Sequence, residues 1–231
     1  EYNRRSMPIR LLPSDVAAKI AAGEVIERPA SVVKELIENS LDANALEINV
    51  ALREGGLKTI EVLDDGSGIP SAEVGLAFRR IATSKMVQVE DVTAIGTLGF
   101  RGEAVASIAA VSNMAIITRT AEVDFATEVD VSEGSVLRSS TIGAQVGTSV
   151  TVRDLFDNFP ARRKFLSSAS AETSRVRVLI QRYALAYPAV AFELQIDGRR
   201  SVATYGSKSL VDAIAQIYDT SLAGAMLTVY G

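Results

Sequence analysis

Segments with β-strand character cluster along this chain instead of alternating with helices. Four of them follow one another at 114–120, 125–131, 136–138 and 148–152. Before them, residues 47–52 and 58–63 alternate in polarity on either side of Glu54-Gly55-Gly56, a pattern typical of an antiparallel hairpin. Clustered strands favour an α+β fold, a two-layer sandwich with helices on one face of a mixed, mainly antiparallel sheet, over a doubly wound parallel sheet.

Apolar residues at helical spacing predict the helices. The clearest helix covers 31–43, where an apolar stripe follows the start signals Pro29 and Ser31. Further helices are predicted at 71–80, 103–111, 173–187 and 210–218. A second hairpin should join 191–196 to 201–205 across Asp197-Gly198, and a last strand should begin at 225–230.

The chain contains neither cysteine nor histidine. Without cysteine it can form no disulfide and no thiolate nucleophile or metal site. Without histidine, acid–base chemistry must fall to Asp, Glu, Lys or Tyr, and any bound metal should be a hard, oxygen-ligated ion. No apolar run is long enough to span a membrane or resembles a signal peptide, so we expect a soluble, intracellular protein with no membrane partner.

The helix at 31–43 carries polar residues on the face opposite its apolar stripe. Glu35, Glu38, Asn39 and Asp42 fall at i, i+3, i+4 and i+7. This face is either an ordinary solvent-facing side or part of a site in which a glutamate polarises a water and an asparagine offers an oxygen to Mg²⁺.

Two glycine-rich loops are candidates for ligand binding. The first, from Asp64 to Ile69, follows a strand, and its glycines would let the backbone approach a flat ligand, although such loops also form plain turns. The second, from Gly96 to Gly102, precedes a helix whose N-terminal amides would suit phosphate. The chain has no GxxxxGK[ST] motif, which excludes a P-loop, and its glycine spacing excludes the dinucleotide-binding fingerprint.

Basic residues are in local excess between residues 153 and 182, with seven Lys or Arg against three Asp or Glu. The whole chain has a formal net charge of −4, which argues against a protein that coats nucleic acid with its entire surface. The excess predicts either a local DNA contact or a solvated helix face.

In their order along the chain, these elements resemble the GHKL group of ATPases, which have a Bergerat-type fold. Closer matches to the MutL family of DNA mismatch-repair proteins lie at 20–29 (IAAGEVIERP), 34–43 (KELIENSLDA), 82–85 (ATSK), 99–104 (GFRGEA) and 160–165 (PARRKF). The resemblance runs from about Met7 to Leu166 and is specific, because several long matches occur in the same order. The chain differs from the usual MutL residue at Asp65 (asparagine), Ile81 (histidine) and Asp157 (tyrosine).

This resemblance implies a Mg-ATP site. Glu35 would be the base that activates the attacking water, Asn39 a Mg²⁺ ligand, and Asp64 the acceptor for the adenine amino group. A lid over the nucleotide would include Thr83, Ser84 and Lys85. The glycine-rich loop at 96–102 would hold the phosphates, and its ATP-binding residues would be Leu98, Gly99, Phe100, Arg101 and Gly102. The remaining ATP-binding residues would be Asp42, Gly66, Gly68, Ile69 and Thr148, and the candidate DNA contacts are Arg162, Arg163 and Lys164.

The implied function is binding and hydrolysis of ATP that gates dimerisation and couples mismatch recognition to downstream repair. Implied partners are an adenine nucleotide, weakly and non-specifically bound DNA, mismatch-recognition and downstream repair proteins, and a second copy of the chain in an ATP-dependent homodimer. Such a protein would be cytoplasmic and bacterial in type, associated with the nucleoid during repair. MutL relatives place a phosphate-contacting lysine in a following domain, so turnover within this span should be weak.

We expect residues 1–6 to be an appended remnant or an extension, 7–206 to form the GHKL ATPase domain, and 207–231 to begin a truncated second domain of the transducer type. A GHKL histidine kinase would need a phospho-acceptor histidine, which is absent. A type II topoisomerase ATPase subunit or a heat-shock chaperone would lack the stretches 99–104 and 160–165. A nucleotide-binding module without appreciable turnover stays open as the alternative function.

Overall fold

The computed structural model describes residues 21–78, 98 and 104–227, which form one eight-stranded sheet and the helices packed on it. The strands are β1 (Glu47–Arg53), β2 (Thr59–Asp64), β3 (Asn113–Arg119), β4 (Ala126–Ser132), β5 (Ser135–Ile142), β6 (Gly147–Arg153), β7 (Ala191–Ile196) and β8 (Arg199–Ala203). The helices are α1 (21–25), α2 (Pro29–Asp42), α3 (Ser71–Val74), α4 (Ala104–Ala110), α5 (Pro160–Arg163), α6 (Ala169–Ala186), α7 (Leu210–Ile217) and α8 (Thr220–Gly224). Short 3-10 turns cover Glu54–Gly56 and Leu76–Phe78.

The sheet is mixed and mainly antiparallel, as the clustered strands predict. Its order is β5-β4-β3-β6-β2-β1-β7-β8. All neighbouring strands are antiparallel except β1 and β7, which pair in parallel. The predicted α+β sandwich is therefore confirmed.

One row of aliphatic side chains crosses six strands on the face that the helices cover. These residues stand directly opposite one another in register and are all buried: Leu194, Val50, Val62, Val150, Ile116 and Val129. Above the row, α2 packs on β1 and β2, α4 on β3 and β4, and α6 on β7 and β8. Full burial of each such side chain contributes about 1.5–3 kcal/mol, so this shared layer holds the helices on a single side of the sheet.

Several boundaries differ from the sequence prediction for local reasons. Helix α6 begins four residues earlier than predicted because the Ser168 hydroxyl accepts a hydrogen bond from the Ala171 amide and caps the helix. Of the helix predicted at 71–80, Ser71–Val74 form α3 and Leu76–Phe78 form a 3-10 turn, while residues 79 and 80 lie outside the described residues. Strand β5 is longer than 136–138 because it pairs along the whole length of β4.

Two helices follow β8, and α7 packs against α6 and β8. The second, α8, was not predicted, and its N-terminus is capped by Asp219, which accepts from the Leu222 amide at 2.7 Å. Residues 225–227 are not in a strand, and the rest of the strand predicted at 225–230 lies outside the described residues. The domain division after residue 206 stays a prediction.

Within the described ranges, no helix combines the length and the apolar character needed to cross a bilayer.

The packing of the β1–β2 turn against α6 predicts that alanine at position 55 destabilises the protein more than alanine at position 198. Gly55 has a φ of +68°, and a Cβ built there would lie 2.5 Å from the backbone oxygen of Ala169. Gly198, in the β7–β8 turn, has a φ of +79° with nothing within 4 Å of such a Cβ. Both Gly→Ala variants suffer backbone strain, but only Gly55→Ala also pushes α6 away from the sheet.

We therefore expect urea unfolding to show that Gly55→Ala is less stable than Gly198→Ala by about 1 kcal/mol or more. Equal losses for the two variants would mean that the contact between this turn and α6 adds nothing to stability.

Candidate nucleotide-binding site

A second row of residues crosses the strands beside the aliphatic row, and on the central strands β2, β6 and β3 its residues are polar. Asp64 of β2 stands opposite Ile48 on one side and Thr148 of β6 on the other. Thr148 in turn stands opposite Thr118 of β3. Because partners in register share a face of the sheet, the carboxylate and both hydroxyls lie on the face covered by the helices. The apolar core thus gives way to hydrogen-bonding groups at this end of the sheet.

Asp64 is the centre of that polar group. The Ser40 hydroxyl donates to one carboxylate oxygen at 2.7 Å, and the Gly66 amide donates to the other at 3.0 Å. The Thr148 backbone amide also donates to this carboxylate. Burial raises the pKa of Asp64 above its ordinary value, although these three hydrogen bonds oppose that shift. Since a carboxylate accepts about four hydrogen bonds, room remains for one more donor.

The two predicted loop glycines are needed for contacts within the protein. At Gly66, a Cβ would lie 2.8 Å from the Ala43 Cβ and 2.9 Å from the Ala43 oxygen, at the end of α2. At Gly68, which has a φ of +72°, a Cβ would lie 2.2 Å from the Arg119 oxygen. The loop is therefore held tightly between α2 and the end of β3, where side chains would not fit.

Thr118 fixes the end of this loop. Its hydroxyl accepts from the Ile69 amide at 2.8 Å, lies 3.0 Å from the Thr148 hydroxyl, and donates to the Gly147 carbonyl at 3.2 Å. Ile69 is partly buried against the core. Thr118 and Ser40 were not predicted as site residues. The available signal for Thr118 was a hydroxyl at the inward position that continues the alternation of Met114 and Ile116.

Asp65 has a different role from its neighbour. Its carboxylate accepts from the backbone amides of Leu46 and Glu47 at 2.7 and 2.8 Å, and its side chain points away from Asp64 to the start of β1. An asparagine, the usual MutL residue here, could accept the same bonds with its side-chain oxygen. This difference from the family therefore leaves the site intact.

The polar face of α2 divides between two surroundings. Glu38 is buried and accepts from the Tyr183 hydroxyl of α6 at 2.7 Å, whereas the Glu35 side chain is 26% exposed. Asn39, half-buried, follows Glu35 by one helical turn. At the end of the helix, Asp42 accepts from the Leu98 amide at 2.9 Å. The structure thus brings the predicted residues Asp42 and Leu98 together.

The other predicted lid and phosphate residues lie outside the described residues. They are Thr83, Ser84, Lys85, Gly99, Phe100, Arg101 and Gly102, together with the position of Ile81.

A metal at this site would depend on few protein ligands. The described part of the chain contains no group of three or more acidic, histidine or cysteine side chains that could together hold a metal ion. The amide oxygen of Asn39 is a hard donor of the kind that Mg²⁺ accepts, and Mg²⁺ commonly takes its remaining ligands from water and substrate phosphates. The donor set therefore fits Mg²⁺ carried with a nucleotide.

The candidate DNA contacts make bonds within the protein. Arg162 donates to the carbonyl of Gly23 in α1, and Arg163 pairs with Asp157. Lys164 is exposed. The Arg163 pair is itself about half exposed, so it adds little stability. The Arg162 bond joins the segment 160–165 to α1, and binding of DNA by the three residues stays a prediction.

Residues 26–146, more than half of the chain, match the family described as histidine kinase-, DNA gyrase B-, and HSP90-like ATPase. The DNA mismatch repair protein MutL of Desulforudis audaxviator is 48% identical over 221 residues, which cover 96% of this chain and 39% of that protein. The MutL of Clostridium acetobutylicum is 48% identical over 212 residues, which cover 92% of this chain and 34% of that protein. The chain thus spans well under half the length of these curated relatives.

Solved structures give the same result. The Aquifex aeolicus MutL ATPase domain complexed with ADP matches with a TM-score of 0.69 and 36% identity, covering 84% of this chain and 70% of that one. A structure described as the N-terminal domain of a DNA repair protein matches with a TM-score of 0.76 and 29% identity, covering 89% of this chain and 61% of that one. The chain therefore belongs to the histidine kinase-, gyrase B- and HSP90-like ATPases and, among them, to the ATPase domains of the MutL family.

Proposed function

We propose that this ATPase domain binds Mg-ATP with its adenine against Asp64 and its phosphates along α2 towards Glu35. The observation that carries the proposal is the Asp64 carboxylate, which is buried, held by three donors and able to accept one more. An adenine amino group is a donor of the required kind. The Aquifex aeolicus relative, whose structure contains ADP, supports an adenine nucleotide as the ligand.

Glu35 is the proposed general base. It takes a proton from the water that attacks the γ-phosphorus, while the bond from that phosphorus to the bridging oxygen breaks and ADP leaves with inorganic phosphate. In the absence of any histidine, a carboxylate is the natural group for this task. Asn39, one turn later on the same face of α2, is the proposed Mg²⁺ ligand, and the ion would neutralise phosphate charge when bound.

The lid and the phosphate loop complete the proposed site. Thr83, Ser84 and Lys85 belong to the lid, and Gly99 to Gly102 hold the phosphates through their backbone amides. The hydrogen bond from Leu98 to Asp42 supports this arrangement because Leu98 directly precedes Gly99. It brings that part of the chain to the end of α2 that also carries Asn39.

In a MutL-type protein, this site would serve mismatch repair. ATP would gate formation of a homodimer, which would couple mismatch recognition to downstream repair enzymes in a bacterial cytoplasm. DNA would bind weakly and without sequence preference through Arg162, Arg163 and Lys164. The names of the relatives support the repair pathway.

Glu35→Ala should bind ATP about as well as the parent but lose turnover, because this side chain acts on the water and not on the nucleotide. Removal of a general base costs roughly 10²-fold or more in rate. Phosphate release and ATP titration on the same samples measure the two effects separately. Turnover at the parent rate would make Glu35 a solvated helix residue.

Asp64→Asn should weaken ATP binding by about 1–3 kcal/mol, because the amide nitrogen cannot accept the adenine proton. The amide nitrogen also cannot accept the bond that Ser40 or Gly66 donates to Asp64, and this loss lowers stability. Removal of the buried charge, whose burial raises the pKa of Asp64, should partly offset the loss at neutral pH. We therefore expect only a small change in melting temperature without nucleotide, and the offset should vanish as the pH falls below the unfolded-state pKa, where both side chains are neutral. Unchanged ATP affinity would place the adenine elsewhere.

If Lys164 contacts DNA phosphate, Lys164→Ala should weaken binding to every sequence and reduce the slope of log affinity against log salt by about 0.9. Arg200→Ala is the charge-matched control, since Arg200 is exposed, pairs with Glu193 and lies on β8, outside the basic segment 153–182. Equal slopes for the two variants would favour a structural role for the basic segment.

A further inference from the structure

Lys34 lies between two carboxylates of α2. Its ammonium is 2.6 Å from Glu38, a hydrogen bond, and 3.5 Å from Glu35, close enough for an ion pair but longer than a good hydrogen bond. Among the described residues, these are the acidic side chains with which Lys34 forms ion pairs. The proposed base therefore has a cation beside it that is bonded more closely to another residue.

Glu38 is better fixed than Lys34. The Glu38 side chain is 11% exposed and accepts from Tyr183, so α2 and α6 hold it from both sides. The Lys34 side chain is 46% exposed and can change its rotamer. Burial raises the pKa of Tyr183, as does its hydrogen bond to Glu38, so the hydroxyl keeps its proton and remains a donor.

The Lys34 ammonium stays charged in this setting. Partial burial lowers its pKa, but the hydrogen bond to Glu38 and the charge of Glu35 outweigh that effect, and the pKa lies above its ordinary value. A charged ammonium that is not held by Glu38 would be drawn to the next carboxylate. That carboxylate is Glu35.

We propose that Glu38 is a positioning residue that keeps the Lys34 ammonium from forming a short hydrogen bond with Glu35, so that the Glu35 carboxylate stays open to water. A charge-assisted hydrogen bond from lysine would occupy a lone pair of the base and make it less able to take a proton. The inference rests on the proposed role of Glu35 and adds the element that keeps it active.

Glu38→Gln tests the proposal with little change in shape. Glutamine keeps an oxygen that can accept from Tyr183 but loses the charge that attracts Lys34. We expect kcat to fall by about tenfold or more, approaching the loss of the base itself, with KM changed less than about twofold. Glu193→Gln is the matched control: it removes the same charge from an ion pair with Arg200 on β8, and kcat should stay at the parent value.

The decisive variant is Lys34→Met combined with Glu38→Gln. If Lys34 blocks Glu35 once Glu38 is neutral, removing its ammonium should restore kcat to within about threefold of the parent. If Glu38 only joins α2 to α6, the double variant should be as slow as Glu38→Gln or slower. That result would overturn the proposal.

Two further measurements keep the test conclusive. Glu35→Gln, assayed alongside, should be inactive. Turnover at the parent rate would show that the proposed base is wrong, whatever the other variants do.

If thermal melting shows that Glu38→Gln is unfolded, Tyr183→Phe takes its place. It removes one bond to Glu38 and leaves both charges, so kcat should fall by a smaller factor, and Lys34→Met should reverse that fall. A fall that Lys34→Met does not reverse would again overturn the proposal.

Discussion

Burial of the Asp64 carboxylate imposes a strict condition on everything around it. A charge removed from water is costly unless donors surround it, and the donors here come from three separate elements: Ser40 on α2, Gly66 in the loop, and Thr148 on β6. Each of these elements must keep its position for the carboxylate to remain satisfied. As a result, Asp64 lies at the end of a rigid sheet and can accept one more hydrogen bond, so a ligand could bind there with little rearrangement of the protein.

Periodicity and spacing predicted much of this arrangement because the relevant signals are local. The stripe on α2, the alternation in β1 and β2, and Asp64 at the end of a strand can all be identified within a few residues of sequence. Ser40 and Thr118 could not be identified in that way. Ser40 contacts a residue 24 positions away, and the role of Thr118 depends on the register of β3 against β6, which no short window of sequence contains.

The polar face of α2 shows the same limit. Helical spacing places Glu35 and Glu38 on one side of the helix but cannot tell which of them meets solvent. The partner that decides this is Tyr183, 145 residues further along the chain, which takes Glu38 into the contact between α2 and α6. The loop glycines were predicted for a role in ligand binding, and that role stays a prediction. The described contacts show that Gly66 and Gly68 are needed first to let α2 and β3 approach the loop.

Helix α2 is therefore held at two neighbouring positions in its C-terminal half before any nucleotide binds. Ser40 holds it to Asp64, and Glu38 holds it to α6 through Tyr183. Rotation of the helix would break both contacts at once, because residues two apart point in directions about 200° apart around the axis. Fixing both sides sets the direction of Glu35 as well, since a side chain on a helix that cannot rotate can move only through its own rotamers. Near the proposed base, therefore, only side chains remain free to move. The Lys34 ammonium is the charged group beside Glu35, and its position depends on Glu38, which Tyr183 holds in place.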